Sequence, residues 1–308
     1  MAELVLPPLA AVRCFEAAAR HGSFTRAAVE LGMTQAAMSY QIKMLEDRLG
    51  RQLFLRGSRG VTLSEAGQRL APAVTDAFGR LNAAFEELSD KESEILSITT
   101  LQTFASNWLV PRLGAFQLAH PAIAVKLDVS VEIVNFARAE FDVGIRTGGG
   151  EWPGLAAHHL FAIAYTPMLS PKLLAHAAAP LKKPADLLTL PLLDPTDVWW
   201  IEWFNAAGVE APDLSRRPEM RLQHQQLAGS GALAGHGVAI LTPAFFRDEL
   251  AAGRLVQPFP LVRASPQSYW LVYPKARRRS PKIRAFRDWL LAAIGAETQA
   301  SDYDARLG

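Results

Sequence analysis

The chain has 308 residues, with 32 Lys and Arg against 30 Asp and Glu and a single cysteine. This balance excludes a whole-protein field that would draw nucleic acid or membrane onto the chain, but it allows a local basic patch. One cysteine excludes a disulfide framework and a zinc site built on several cysteines. No apolar run reaches the roughly 18 residues of a membrane span. The N-terminus lacks the pattern of a secretory signal, so we expect a cytoplasmic protein of about two domains.

The N-terminal region shows the pattern of three short helices and a hairpin. Apolar residues recur at helical spacing over residues 9–19, and a glycine then ends the pattern. Ser23 is a suitable N-cap for a second helix, and Thr34 for a third. Residues 51–62 complete the unit as a short hairpin with a Gly/Ser turn.

A helix-turn-helix followed by a hairpin is typical of a winged DNA-binding module, whose second helix enters the major groove. Residues 20–69 carry eight basic and four acidic side chains, so this segment is positive and the rest of the chain is negative. The alternative is that the basic hairpin is an ordinary solvated surface.

A long amphipathic helix is predicted over residues 64–89. Thr62 precedes Glu65 by three residues, which indicates a capping box at its start. A lone helix cannot bury its apolar stripe, so the stripe needs a partner: a second copy of the chain, or the helix's own domain. The stripe follows a seven-residue repeat and consists of Gly67, Leu70, Val74, Ala77, Leu81, Ala84 and Leu88, widened by Phe78 and Phe85.

From residue 94 to about residue 293 the patterns of strands and helices alternate. This alternation indicates an α/β domain with a largely parallel sheet. In such a sheet, small polar or anionic ligands bind at strand ends beside helix N-termini. The first such loop runs from Thr100 to Asn107, where the next helix is predicted to begin.

The motifs of common enzyme classes are absent from the sequence. There is no phosphate-binding loop and no G-x-S-x-G elbow. His158 and His159 are adjacent on a predicted strand and point to opposite faces, so they cannot share a metal, and Cys14 is expected to pack in a core. We therefore predict no enzymatic activity, no cofactor and no metal. The rival classes are a solute-binding protein, which would need an export signal, and an enzyme, which would need a convergent catalytic set.

Residues 23–67 carry a motif of fixed spacing, SFTRAAVELGMTQAAMSYQIKMLEDRLGRQLFLRGSRGVTLSEAG. It resembles the N-terminal module of LysR-type transcriptional regulators. Three later segments resemble the branch that includes regulators of glycine cleavage and of β-lactamase expression: TFASNWLVPRLGAFQLAHP, FDVGIRTGGGEWPGL and AGHGVAILTP. The resemblance covers residues 5–293.

The family resemblance implies a multi-domain α/β architecture. A winged helix-turn-helix would be followed by a dimerising linker helix and a two-lobed effector domain similar to periplasmic binding proteins. The implied bounds are 1–63, 64–92 and 93–308, with lobe 1 at 93–165 and 268–300 and lobe 2 at 166–267.

The resemblance also implies sequence-specific binding of double-stranded DNA, modulated by a small-molecule effector between the lobes. Paired modules imply an operator with two-fold-related half-sites and a homodimer or homotetramer, and RNA polymerase is an expected further partner. Ala36 and Tyr40 depart from the family pattern, where Pro and Arg are common, so base preference cannot be copied from relatives. The implied DNA-binding residues are Thr34, Gln35, Ala36, Ser39, Tyr40, Lys43, Arg56, Arg59 and Thr62.

Seven residues are candidates for effector contacts. Thr103 alternatively only caps a helix, and Arg146 alternatively pairs with an acid at a surface turn. Tyr269 is preferred to Trp270 because only one of two successive strand residues faces the cleft. The basic run of residues 275–287 either contacts DNA or a partner, or forms a solvated helix face. The seven candidates are Thr100, Gln102, Thr103, Arg146, Trp199, Gln225 and Tyr269.

Overall fold

The computed structural model contains two hydrophobic cores. One is built from residues between Ala11 and Val74, and the other from residues between Leu96 and Ile294. None of the described helices is both long enough and apolar enough to cross a bilayer. The structure describes residues 6–57, 60–88, 95–132, 136, 141–210, 214 and 220–307.

The N-terminal core is formed by the three helices and the hairpin that the sequence predicted. The Ser23 hydroxyl accepts a hydrogen bond from the Arg26 N–H at 3.3 Å, and the Thr34 hydroxyl accepts one from the Ala37 N–H at 3.2 Å, so both predicted N-caps are confirmed. Gly22 ends the first helix in the left-handed conformation, at φ 58°. The elements are α1 (Leu9–His21), α2 (Phe24–Glu30), α3 (Gln35–Leu49), β1 (Phe54–Gly57) and β2 (Gly60–Leu63).

The long helix α4 (Glu65–Leu88) starts with a different cap from the predicted one. Thr62 lies in β2, so the predicted capping box is wrong. Ser64 caps the helix instead, because its hydroxyl accepts a hydrogen bond from the Gly67 N–H at 3.1 Å. The same hydroxyl donates to the Gln52 carbonyl at 2.6 Å, which ties the start of α4 to the entry of the hairpin.

The apolar stripe of α4 has two halves with different surroundings. Gly67 and Val74 are buried against the N-terminal core. Leu81 and Phe85 are 42% and 66% exposed. The first half therefore packs on its own module, and the second half presents large apolar side chains that the described chain leaves uncovered.

A six-stranded sheet lies in the C-terminal core: β3 (Ile95–Thr100), β4 (Ala124–Val129), β5 (Val143–Gly148), β6 (Leu155–Met168), β7 (Ala239–Leu241) and β8 (Arg263–Pro274). Its order is β4-β3-β5-β8-β6-β7. β3 is parallel to β4 and β5, whereas the β5–β8, β6–β8 and β6–β7 pairs are antiparallel. The α/β class is confirmed, but the expectation of a largely parallel sheet is wrong, because the long strands β6 and β8 run antiparallel to each other.

The β6–β8 ladder is irregular near its middle. Its register shifts twice, which leaves Leu160 and Ile163 of β6 outside the ladder. Both side chains are buried in the core. At its C-terminal end β6 pairs instead with β7, so one strand serves two parts of the sheet.

Helices surround this sheet. The first two are joined without a break by a π-helical turn, Ala105–Leu109, so the helix predicted to begin at Asn107 begins at Gln102. The helices are α5 (Gln102–Phe104), α6 (Val110–Ala119), α7 (Pro171–Ala175), α8 (Val198–Ala206), α9 (Gln225–Leu233), α10 (Arg247–Ala251) and α11 (Pro281–Leu307).

The basic run of residues 275–287 contacts other parts of the chain. It starts as a 3₁₀ turn, where a Cβ built on Gly79 of α4 would lie 3.0 Å from the Ala276 Cβ. Lys282 then pairs with Asp142 at 2.8 Å. This part of the run therefore lies close to α4 and pairs with a buried carboxylate, so it is more than a solvated helix face.

Candidate functional site

Helix α3 is anchored by one face and open on the other. Its anchored face consists of three buried apolar residues, Met38, Ile42 and Leu45. A helix fixed in this way, with amide, hydroxyl and ammonium groups on its open side, suits the major groove of DNA. The open side and the cap carry six of the predicted DNA-binding residues, all exposed except the half-buried Ser39: Thr34, Gln35, Ala36, Ser39, Tyr40 and Lys43.

The hairpin is held against α3 by Glu46. Its Oε1 accepts hydrogen bonds from the Leu53 N–H at 2.7 Å and the Phe54 N–H at 3.1 Å. This contact sets the position of the hairpin relative to α3, and the sequence did not reveal it. Of the predicted wing residues, Thr62 is exposed on β2, Arg56 belongs to β1 by its backbone, and Arg59 lies outside the described residues.

A cavity of about 250 Å³ lies where α5, α8 and α9 begin. Five of the seven predicted effector contacts line it: Gln102, Thr103, Trp199, Gln225 and Tyr269. Its other polar residues are Asp194, Asp197, Gln223 and His224.

Thr103 joins two walls of this cavity. Its hydroxyl accepts a hydrogen bond from the Gln226 N–H at 3.2 Å, in the first turn of α9. Of the two alternatives for Thr103, capping is therefore present, but the capped helix is α9 and not its own. The neighbouring Gln225 is also fixed, because its Oε1 accepts a hydrogen bond from the Thr242 N–H at 2.7 Å.

Tyr269 lines the cavity and is only 4% exposed. Its ring packs among Phe104, Phe161 and Phe245. Within the described part of the chain its hydroxyl has no hydrogen-bond partner, and burial raises its pKa, so the phenol remains a neutral donor at physiological pH. Its neighbour Trp270 instead donates to the Gly148 carbonyl at 3.0 Å.

Trp199 supplies an aromatic part of the wall. Its ring stacks on Tyr165, with 4.3 Å between centroids and 1° between planes. Trp200 and Trp203, on the same helix, are fully buried. Trp199 is therefore the tryptophan of α8 that lines the cavity.

Two of the predicted effector residues do not line the cavity. Thr100 is fully buried at the end of β3, and its Oγ1 has no partner among the described residues. Arg146 donates to the Thr99 Oγ1 at 2.8 Å and to the Ile145 carbonyl at 2.9 Å. Burial lowers the pKa of its guanidinium. The sequence pattern placed Thr100 at the end of a strand and Arg146 on a strand, as the structure does. The side of a strand that faces the cavity depends on which strands pair, and the sequence does not show that pairing.

Two carboxylates in the lining, Asp194 and Asp197, were missed. The Asp197 Oδ1 accepts a hydrogen bond from the Trp199 N–H at 3.0 Å and so caps α8. Asp194 has a positive φ of 48°. An aspartate before a helix predicts a cap, but nothing in the sequence alone places that cap in a cavity.

Comparison with known families gives two matches, in the order of the two cores. Residues 9–68 match the bacterial regulatory helix-turn-helix protein, lysR family, and residues 89–295 match the LysR substrate binding domain. The chain is 40% identical to the HTH-type transcriptional activator AmpR of Citrobacter koseri, over 92% of this chain and 97% of the relative. It is 39% identical to the glycine cleavage system transcriptional activator of Escherichia coli strain K12, over 96% of both.

Two solved structures are similar to this chain, one over the effector domain and one over nearly the full length. The effector domain of AmpR from Pseudomonas aeruginosa is 34% identical, with a TM-score of 0.57, and the match covers 67% of this chain and 98% of that one. The full-length regulator LysG from Corynebacterium glutamicum, at 20% identity, shares the fold with a TM-score of 0.66 over 94% of this chain and 98% of that one. Because both family models match and full-length relatives align from end to end, the chain belongs to the LysR family of transcriptional regulators, with a DNA-binding helix-turn-helix and an effector-binding domain.

Proposed function

We propose that the chain regulates transcription in response to a small molecule bound in the cavity between α5, α8 and α9. One observation carries this proposal: the lining combines α5 and β8 with α8 and α9, so a ligand there contacts two separate parts of the effector domain. The proposed contacts are Gln102, Thr103, Trp199, Gln225 and Tyr269. Thr100 and Arg146 lie outside the lining and receive no direct contact in this proposal.

The proposed domain division keeps the bounds expected from the sequence: 1–63, 64–92 and 93–308, with lobe 2 at 166–267 and lobe 1 on either side of it in the chain. The separate hydrophobic cores support the division at 92/93, between α4 and the effector domain. In this division the Thr103–Gln226 hydrogen bond joins the lobes. A ligand beside it shifts the population of lobe orientations, which is the coupling that an allosteric regulator requires.

The proposed DNA interface consists of α3 and the wing. Exposed groups from Thr34 to Lys43 meet base edges and backbone, while Arg56, Arg59 and Thr62 follow the phosphates. The proposed partner is double-stranded DNA, and the proposed location is the cytoplasm.

The exposed half of the α4 stripe supports a proposal for assembly. Leu81 and Phe85 are covered if α4 pairs with α4 of a second copy. Two modules held in this way bind two-fold-related half-sites about one helical turn apart, or a multiple of it. The assembly is a homodimer, or a homotetramer made of two such pairs, and RNA polymerase is its proposed partner at the promoter.

Thermal denaturation of the full chain against a panel of metabolites tests this function, because a specific ligand raises Tm by mass action. The compounds that raise Tm are then added to gel shifts with duplexes that the chain selects from random sequence. We expect at least one compound to change both Tm and DNA affinity. A chain that selects no duplex contradicts the proposal.

Tyr269→Phe is expected to leave the stability of the free protein unchanged and to weaken effector binding about five- to tenfold. The reason is that the hydroxyl has no partner among the described residues, so only a bound ligand loses a hydrogen bond. Isothermal titration with a compound from the panel measures the change.

Tyr273→Phe is the matched control for this prediction. The Tyr273 hydroxyl forms a hydrogen bond with His158 Nε2 at 2.8 Å and lies outside the cavity lining. Its removal is expected to lower stability by about 1 kcal/mol and to leave effector affinity unchanged. Equal effector affinity for wild type and Tyr269→Phe argues against the cavity as the site.

A further inference from the structure

The wall of the cavity beside α8 is acidic. Asp194 and Asp197 both line it, and each is fixed by backbone contacts. The Asp197 Oδ1 accepts a hydrogen bond from the Trp199 N–H at 3.0 Å. The Asp194 Oδ2 accepts one from the Leu222 N–H at 3.3 Å, and its Oδ1 accepts one from the Thr196 hydroxyl at 3.1 Å. These contacts fix both carboxylates within the lining, close to the start of α8.

The backbone at Asp194 is held in an uncommon conformation. Its φ of 48° is the one positive value recorded for a non-glycine residue in the described chain. This conformation is disfavoured for residues with a Cβ and persists where surrounding contacts fix it. Glycine adopts this conformation more easily than aspartate does. The aspartate at position 194 therefore costs conformational free energy that a glycine would not.

The charges around Asp197 are not balanced within the lining. The described lining contains two carboxylates and neither lysine nor arginine. Burial, and then the nearby carboxylates of Asp194 and Glu202, raise the pKa of Asp197. A partly buried carboxylate with acidic neighbours is stabilised by a cation brought from outside.

The lining also offers a neutral donor. Tyr269 is 4% exposed, and its hydroxyl has no partner within the described part of the chain. Trp199 adds an aromatic ring beside the carboxylates, and aromatic faces attract cations. The lining of the cavity thus combines groups suited to a cation with a hydroxyl suited to a neutral acceptor.

We propose that the effector carries a protonated amino group, which binds the carboxylates of Asp197 and Asp194, while a neutral acceptor of the same molecule binds the Tyr269 hydroxyl. The ligand class is a small ammonium compound, such as the free amino terminus of an amino-acid or short-peptide derivative. This inference rests on the proposed function, since it assumes that the effector occupies this cavity.

Two matched sets of compounds test the inference with the full chain. One set consists of dipeptide amides with a free amino terminus, and the other of the same compounds N-acetylated, so that only the ammonium group differs. Tm is measured at pH 7 with each compound. We expect members of the free set to raise Tm and their acetylated partners to have no effect.

Asp197→Asn is the variant that separates binding from structure. Asparagine is as good an N-cap as aspartate, so α8 is retained while the charge is lost. We expect affinity for the free amines to fall about tenfold or more, as for loss of a charged hydrogen bond. We also expect Tm of the unliganded variant to equal or exceed that of wild type, because a carboxylate of raised pKa destabilises the folded state at neutral pH.

Asp288→Asn, at an exposed position on α11, is the control and is expected to bind as wild type does. The inference is overturned if acetylated and free compounds act equally, if neither set raises Tm, or if Asp197→Asn binds free amines with wild-type affinity. In any of those cases the proposed function is still supported if a neutral metabolite raises Tm and Tyr269→Phe weakens its binding. The proposed function fails on a different result: the chain then selects no DNA duplex from random sequence.

Discussion

Operator affinity falls about 100-fold or more when Ser39→Ala and Lys43→Ala are combined, if α3 is the recognition helix. Each good contact to a base edge or phosphate contributes about 1–3 kcal/mol, and the double variant removes a hydroxyl and an ammonium group. Ser39 is half-buried and Lys43 exposed, and the core of the module is built from other residues of α3. Folding should therefore be retained, and circular dichroism checks this.

Gel-shift titration at fixed salt, with a duplex selected by the wild-type chain, measures the loss. Lys126→Ala, at an exposed position on β4, serves as the control for removal of one positive charge. We expect the control to bind normally and the salt dependence of the double variant to be shallower by about one counterion, because Lys43 neutralises a phosphate. Unchanged affinity of the double variant would mean that another surface reads the operator.

Gly67→Ala is expected to destabilise the N-terminal module by about 2 kcal/mol, as overpacking commonly does. A Cβ at this position would lie 2.2 Å from the Leu53 carbonyl oxygen and 2.9 Å from the Leu63 Cδ2. The nearer atom is backbone, so α4 or the hairpin must move. Because the wing is part of that hairpin, DNA affinity should fall together with Tm.

Gly114→Ala is the matched control, because a Cβ at Gly114 of α6 meets nothing within 4 Å. Alanine is favoured over glycine inside a helix by roughly 0.5–1 kcal/mol, so this variant should be as stable as wild type or more so. Chemical denaturation of both variants measures the difference. Equal stability of Gly67→Ala and wild type would mean that α4 is not seated as described.

The N-terminal module was predictable because its signals are local. Ser23 and Thr34 each satisfy an N–H three residues away, and Gly22 provides the left-handed turn. The capping box failed for a reason that is not local: Thr62 is committed to strand pairing, and Ser64 is within reach of both the helix and Gln52. Sequence spacing alone did not distinguish two hydroxyl residues that stand two positions apart.

The sheet and the cavity were less predictable because they depend on pairing over long separations. Alternation of strands and helices indicated the α/β class correctly, but β5 meets β8 more than a hundred residues later in the chain, and in the antiparallel direction. The side of each strand that faces the cavity follows from that pairing. Arg146 and Tyr269 illustrate this point, because both were selected from predicted strands and only Tyr269 lines the cavity.

The double register shift in the β6–β8 ladder has a mechanical consequence. The chain enters the segment that contains α7 to α10 through β6 and leaves it through β8, so these two strands form the covalent connection on both sides. Interrupted ladder hydrogen bonds lower the bending stiffness of the paired strands where Leu160 and Ile163 stand outside the ladder. We therefore expect any rotation of one half of the domain against the other to bend β6 and β8 at this short stretch, whichever molecule fills the cavity.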